Sequence, residues 1–190
     1  MIRPLRVVAL DLSLTATGIA VTHDQVGEPR LACRTVSPRR RPSDTIIDHV
    51  RLHETFGAIA AAVRCKPDLV VIEWLPQFAG KGDTSLRLAE LHGAVKHWLW
   101  SKNLRYVDVQ PPHLKIYATG DGRADKAKVR RQVTAAYGRF LHIGTEDEAD
   151  ATALLAMALD AYGQPLVETH VSRREALAAV KWPELDLAAV

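Results

Sequence analysis

Apolar residues recur along the 190-residue chain at two different periods, and the two periods alternate. Residues 5–10, 18–22 and 31–36 alternate or run apolar with turn-forming segments such as HDQVGEP between them, which predicts a three-stranded antiparallel meander. From Asp44 to Arg64 the apolar positions Ile46, Ile47, Val50, Phe56, Ile59, Ala60 and Val63 follow helical spacing, with Ser43 as the N-cap and Pro67 closing the segment. DLVVIE is then a short, wholly apolar strand of the kind covered on both faces, and it ends in Glu73. SLRLAELHGAVKHWLW predicts a second long helix with Leu88, Leu91, Val95, Trp98 and Leu99 near one side, and RYVDVQP a fifth strand. After Pro111 and Pro112 come a short helix, the ATGDGRAD turn, a basic helix from about Lys126 to Tyr137 and an amphipathic helix from Glu146 to Tyr162. This order predicts an α/β fold, a five-stranded mixed sheet flanked by helices. Residues 1–162 are expected to form that domain, and 163–190 a C-terminal tail with one short helix in VSRREALAAVK.

Composition narrows the class without changing it. With 47% hydrophobic and 25% charged residues the chain reads as one globular domain, neither disordered nor membrane-spanning. MIRPLRVVAL leads straight into a strand pattern, so the expected location is the cytoplasm. Cys33 and Cys65 are far apart, form no CxxC pair and read as buried, reduced thiols. The net charge of +3 is concentrated: Arg39, Arg40 and Arg41 sit between two prolines, and Lys126, Lys128, Arg130 and Arg131 fall within two helical turns. Such patches suit a polyanionic partner, and each taken alone suits a solvated helix face or loop equally well.

Acids bring in the chemistry. Asp11 ends the first strand and Glu73 the fourth, and ligand sites in α/β sheets gather at such strand ends. In GTEDEADATALLAM, Thr145 and Glu148 fit a capping box, and acids in a first turn suit the helix dipole, which accounts for much of the cluster. Asp147 and Asp150, three apart, share the helix side that continues into Leu154, Met157 and Ala158, so they point toward the protein. Asp11, Glu73, Asp147 and Asp150 can therefore converge as an all-oxygen cluster without His or Cys, the ligand set for Mg²⁺ or Mn²⁺. Ions held this way support hydrolysis of a phosphodiester.

Asp11 followed by Thr17-Gly18, DLVVIE ending at Glu73, the Asp147-x-x-Asp150 pair, and Lys115 and Lys126 around the ATGDGRAD turn together resemble the RuvC-type Holliday-junction resolvases of the ribonuclease H-like superfamily, over roughly residues 5–162. The resemblance implies a dimeric, Mg²⁺-dependent endonuclease that nicks two opposing strands of a four-way junction and leaves 5′-phosphate ends. It implies that Asp11, Glu73, Asp147 and Asp150 ligate the metal, and that Lys115 and Lys126 contact DNA near the scissile phosphate. Lys128, Arg130 and Arg131 would extend the DNA-binding surface. Ser13 stands where the family commonly has Gly, and Pro76 where it has an aromatic wedge, leaving Phe78 or Trp74 for that role.

Two other classes fit parts of the pattern. A single-lobe relative of the actin-like and sugar-kinase ATPases shares a first-strand aspartate, but those folds use two lobes and Gly-rich phosphate loops. A non-catalytic basic DNA-binding protein would use the acids only as caps and bind without Mg²⁺. The histidines show no ligand spacing, and His92, His97 and His113 read as surface or helix-packing residues. The apolar side of the second long helix is rich enough to suggest a homodimer seam; the alternative is that this side packs on the chain's own sheet, leaving His92 and Lys96 near its border solvated.

Overall fold

The structure, a computed structural model, describes residues 3–25, 28–38, 49–75, 83–168 and 170–187. Strands β1 (Val7–Asp11), β2 (Thr17–Gln25), β3 (Glu28–Val36), β4 (Leu69–Glu73) and β5 (Tyr106–Val109) form one sheet in the order β3-β2-β1-β4-β5. The first three pair antiparallel, and β4 and β5 add in parallel. β1 and β4 are therefore central and neighbouring, as their unbroken apolar runs require.

The period of two sorts the side chains between two cores. Val7, Ala9, Leu69 and Val71 face one side, and Val8, Leu10, Val70 and Ile72 the other. On the second side lie α1 (His49–Ala62), continued by a 3-10 turn at Val63–Cys65, and α2 (Asp83–Ser101). Leu91, Val95 and Leu99 of α2 are buried there, with Leu88 and Trp98 partly so, and Phe56 meets Trp98 edge-on at 6.2 Å between ring centroids. The stripe expected to form a dimer seam thus covers the chain's own sheet. His92 and Lys96 are nonetheless not solvated border residues: His92 is 3% exposed and the Lys96 side chain 15%. What α2 leaves outside is Leu86 and Trp100, 69% and 70% exposed.

On the first side lie α3 (Pro111–Thr119), α4 (Lys126–Tyr137), α5 (Glu146–Ala161) and α6 (Val171–Ala178). Helix α5 is buried throughout from Ala149 to Asp160. Its five alanines in that stretch let it lie close to β1 and β2. Gly18, paired with Asp11 across β1 and β2, makes the closest approach: a Cβ there would stand 2.1 Å from the Asp147 carbonyl oxygen. The predicted capping box is present, and Glu148 also accepts from the Thr35 backbone N–H at 3.1 Å, tying the start of α5 to β3.

Residues of the tail pack on the same core. Ala176 and Val180 are buried, Arg174 lies 3.6 Å from the buried Asp160 carboxylate, and the Tyr117 hydroxyl donates to that carboxylate at 3.3 Å. The two ends of the described chain meet, with the Arg3 backbone N–H donating to the Leu187 carbonyl. Arg3 also bonds Asp68 at 2.7 Å, just before β4. The helix expected from Asp44 is described from His49 onward; its expected start at Asp44, with Ser43 and Arg39, Arg40 and Arg41, lies outside the described residues.

Candidate active site

The register that pairs Leu10 with Ile72 sets Asp11 beside Glu73 at the same end of two parallel strands. Helix α5 then brings in Asp150 from above, located by the Gly18 contact three residues earlier in the helix. Ligand oxygens of Asp11, Glu73 and Asp150 lie within 4.8 Å of one another. Asp147 takes a different place. It stands one turn nearer the helix end, at the rim, where the Lys126 ammonium bridges it at 3.6 Å to Asp150 at 3.9 Å. The i, i+3 spacing put both acids on one side of the helix, but only the second is deep enough to enter the cluster.

Three carboxylates so close, in a site closed by two strands and a helix, resist ionising together. Burial raises Asp11, while a hydrogen bond with Glu73 and the Lys126 charge oppose the rise. Glu73 is raised well above the carboxylate range by burial, by the Asp11 charge and by carrying the proton the two share. Asp150 is pushed up to about 7 by burial and the Asp11 charge, against Lys126. Lys126 itself rises: burial works against its charge, and the surrounding acids outweigh it. Lys126 and, more weakly, Lys115 stand against four acids, which leaves the site short of positive charge. An all-oxygen donor set of this size and deficit fits a hard divalent cation.

The carboxylates open into a cleft of about 320 Å³ that Lys115 and Lys126 border. Ser13, at its mouth, closes the β1–β2 turn. Its hydroxyl accepts from the Thr15 and Ala16 backbone N–H groups, and its carbonyl accepts from the Thr17 hydroxyl at 2.8 Å. A serine there thus supplies turn bonds in place of glycine's conformational freedom. Lys128 does not face the cleft as a free cation; it pairs with Asp121 at 2.9 Å and fixes the turn before α4. That turn is further held by Gly120 at φ +77° and by Asp125, which caps α4 through the Lys128 N–H at 2.6 Å. Arg130 and Arg131 are exposed and line a separate groove with Glu146. Phe78 and Pro76 lie outside the described residues.

Two residues of the cleft wall take places the sequence did not assign them: His92, read there as a surface or helix-packing residue, and Trp74, named there as a wedge candidate. His92 is buried, lies against the Leu12 carbonyl next to Asp11, and has a buried Nδ1 without a hydrogen-bond partner. Burial and the nearby Lys96 charge lower it to about 4, so it is neutral. The signal existed, since His92 falls on the same helical stripe as Leu88, Val95 and Leu99. The second is Trp74, half-buried in the wall directly after Glu73, with the Lys96 ammonium 3.8 Å from its ring centroid. Lys96 is in turn 2.8 Å from Asp108, an ion pair by distance though not aligned as a hydrogen bond.

Comparison with known proteins agrees with this arrangement. Residues 7–160 match the family described as crossover junction endodeoxyribonuclease RuvC. A crossover junction endodeoxyribonuclease RuvC of Gloeobacter violaceus is 37% identical over 89 residues, 47% of this chain and 50% of that protein, so the match spans about half of that relative's length. One from a Mycobacterium species (strain KMS) is 28% identical over 183 residues, 92% of each chain. The Thermus thermophilus RuvC structure superposes with a TM-score of 0.62 at 18% identity, covering 84% of this chain and 98% of that one. T. thermophilus RuvC in complex with Holliday junction substrate gives 0.60 at 20% identity, covering 80% and 90%. At these identities the structural likeness speaks for the fold, a five-stranded mixed sheet of the ribonuclease H-like kind.

Proposed function

The chain belongs to the RuvC family of crossover junction endodeoxyribonucleases, and from that premise we propose that it resolves four-way DNA junctions by paired nicks that leave 5′-phosphate ends. The observation that carries the reading is the convergence of the Asp11, Glu73 and Asp150 oxygens within 4.8 Å. These three would hold Mg²⁺, or Mn²⁺ in its place, with Asp147 as an outer oxygen ligand at the rim. Bound there, the cation supplies activation of water and stabilises charge on the oxygens of a phosphodiester displacement.

The chain's own residues do the rest. Lys126 offsets part of the carboxylate charge, and Lys115 borders the same cleft, so a phosphate entering there meets two ammonium groups. Arg130 and Arg131, exposed beside the cleft on α4, extend the basic surface along a departing DNA arm. Lys128 contributes by holding the turn that aims α4, more than by touching DNA. Phe78 remains the proposed junction wedge. Residues 1–162 form the nuclease unit in this reading, and 163–190 the tail, whose Ala176 and Val180 pack on that unit.

Two nicks in opposing strands call for two centres presented together, which a two-fold dimer provides. With the buried stripe of α2 occupied by the sheet, the seam falls to the outer side of α2, around Leu86 and Trp100. Among the described residues no helix is long and apolar enough to cross a membrane. A DNA-processing role places the enzyme in the cytoplasm.

Cleavage of four-way, three-way, flap and linear DNA, with and without Mg²⁺, tests this. Symmetric nicks in the four-way junction, dependent on Mg²⁺, are expected. Equal cutting of linear duplex, or cutting without a divalent ion, would overturn it. Sedimentation at micromolar concentration should show a dimer; a monomer that makes both nicks in one encounter would overturn the assembly.

A further inference from the structure

Trp74 sets a broad indole into the wall of the cleft that holds the carboxylates. It borders the same cleft as Asp11, Glu73, Asp150, Lys115 and Lys126, and it follows a cluster carboxylate directly in sequence. It is also held still. Its backbone N–H donates to the Val109 carbonyl at 2.8 Å, and the Lys96 ammonium covers its ring at 3.8 Å while standing 2.8 Å from Asp108. An ion pair anchored on α2 and β5 thus fixes an indole whose remaining surface stays partly open to the cleft.

A junction wedge must project and insert between bases. Trp74 is instead a wall, half-buried and clamped, so that role does not suit it. A wall of this kind suits a flat partner that enters with a phosphodiester. We propose that Trp74 forms a stacking subsite for the nucleobase flanking the scissile phosphate, with the Lys96–Asp108 pair as its positioning support. The subsite rests on the function proposed above. Ring orientation is fixed before the base arrives, so little ordering entropy is lost on stacking. Every base has a π-face, so the subsite tolerates sequence and discriminates presence of a base from absence.

The test uses four-way junctions in which single abasic sites are moved through the positions on both sides of the cut. At one position the abasic site should lower wild-type kcat/KM by about thirtyfold, the middle of the range that base–aromatic stacking supplies. Trp74→Ala should lose a similar factor on the intact junction and be indifferent to that abasic site, while Trp74→Phe keeps most of the sensitivity. Trp74→Leu, which fills the space without a π-face, should behave as the alanine variant does and serves if that variant fails to fold. Unchanged melting and Mn²⁺ affinity in the variants separate loss of stacking from damage to the carboxylates. Full wild-type sensitivity in Trp74→Ala or Trp74→Leu, or no sensitive position in the wild type, would overturn the subsite. If the wild type cuts no branched DNA, the proposed function fails separately. The subsite is then judged by equilibrium binding of the same intact and abasic junctions in Ca²⁺, where the same ratios are expected and their absence overturns it.

Discussion

Strand β4 has an acid at each end, and the two live under opposite conditions. Before it, Asp68 accepts hydrogen bonds from the Arg3 guanidinium at 2.7 Å and the Arg6 backbone N–H at 2.9 Å, with the Arg6 guanidinium at 3.3 Å. Burial alone would raise this carboxyl, yet those partners bring it down to about 2. At the other end, about 16 Å away along the strand, Glu73 is buried among like charges and rises well above the usual range. One end carries more positive charge than its acid needs, and the other carries less. An acid supplied with counter-charge by the chain holds the fold together; acids left short of it create a demand that something from outside must meet.

The largest test of that contrast removes charge from the crowded end. Glu73→Gln or Asp150→Asn should lower junction cleavage by at least about 10²–10³-fold, the scale of losing a group that stabilises charge in the transition state. The same change should raise the melting temperature of the metal-free protein, because repulsion is relieved, and leave DNA affinity in place. A variant that still cuts normally, or that melts lower without metal, would break the comparison.

Next comes the geometry of that end. Gly18→Ala puts a methyl where the Asp147 carbonyl oxygen lies 2.1 Å away, so the start of α5 must move, and Asp150 with it. A displacement near 1 Å should cost roughly 10²-fold in rate. Divalent-ion affinity measured by calorimetry should fall in parallel; an unchanged affinity would mean that the helix yields elsewhere.

Protons sharpen the contrast further. At the crowded end the metal-free folded protein holds more protons than the unfolded chain, between the ordinary Asp value of 3.8 and about 7 for Asp150. Raising the pH through that window therefore lowers its stability. At the paired end the folded protein holds fewer, so lowering the pH from 3.8 through about 2 is what destabilises. Urea midpoints without metal should be higher at pH 4.5 than at pH 8, and Mg²⁺ should remove or reverse that difference. A midpoint that rises from 4.5 to 8 without metal would contradict the crowding.

The smallest effect is expected at the paired end. Asp68→Asn should destabilise by about 1–2 kcal/mol after allowing for solvent screening of the half-exposed arginines. That is a few degrees of melting temperature, with cleavage unchanged.

Much of this site could be read before any coordinates. β1 and β4 announced themselves by unbroken apolar runs, and a run of that kind ending in an acid places the acid at the end of a central strand, as Asp11 and Glu73 are. Helix α5 was legible from Thr145 and Glu148 at its start and from its apolar side. What the sequence could not supply was depth. Asp147 and Asp150 look equivalent by spacing, and only the close contact at Gly18 decides which of them enters the cluster. His92 was left between surface and helix packing, and its burial decides for packing; the α2 stripe was given to a dimer seam because nothing local states how much cover a sheet face needs. The Trp74, Lys96 and Asp108 grouping joins a loop, a helix and a strand, and no periodicity links them.

Arg3 and Leu187 are hydrogen-bonded neighbours, and Arg3 reaches Asp68 from the same corner. A tether, affinity tag or fused partner joined at either end of the described chain therefore departs from one corner, at the far end of β1 and β4 from the carboxylates. Attached to a surface by that corner, the molecule turns its cleft outward, and immobilised copies should take up a junction as readily as free ones.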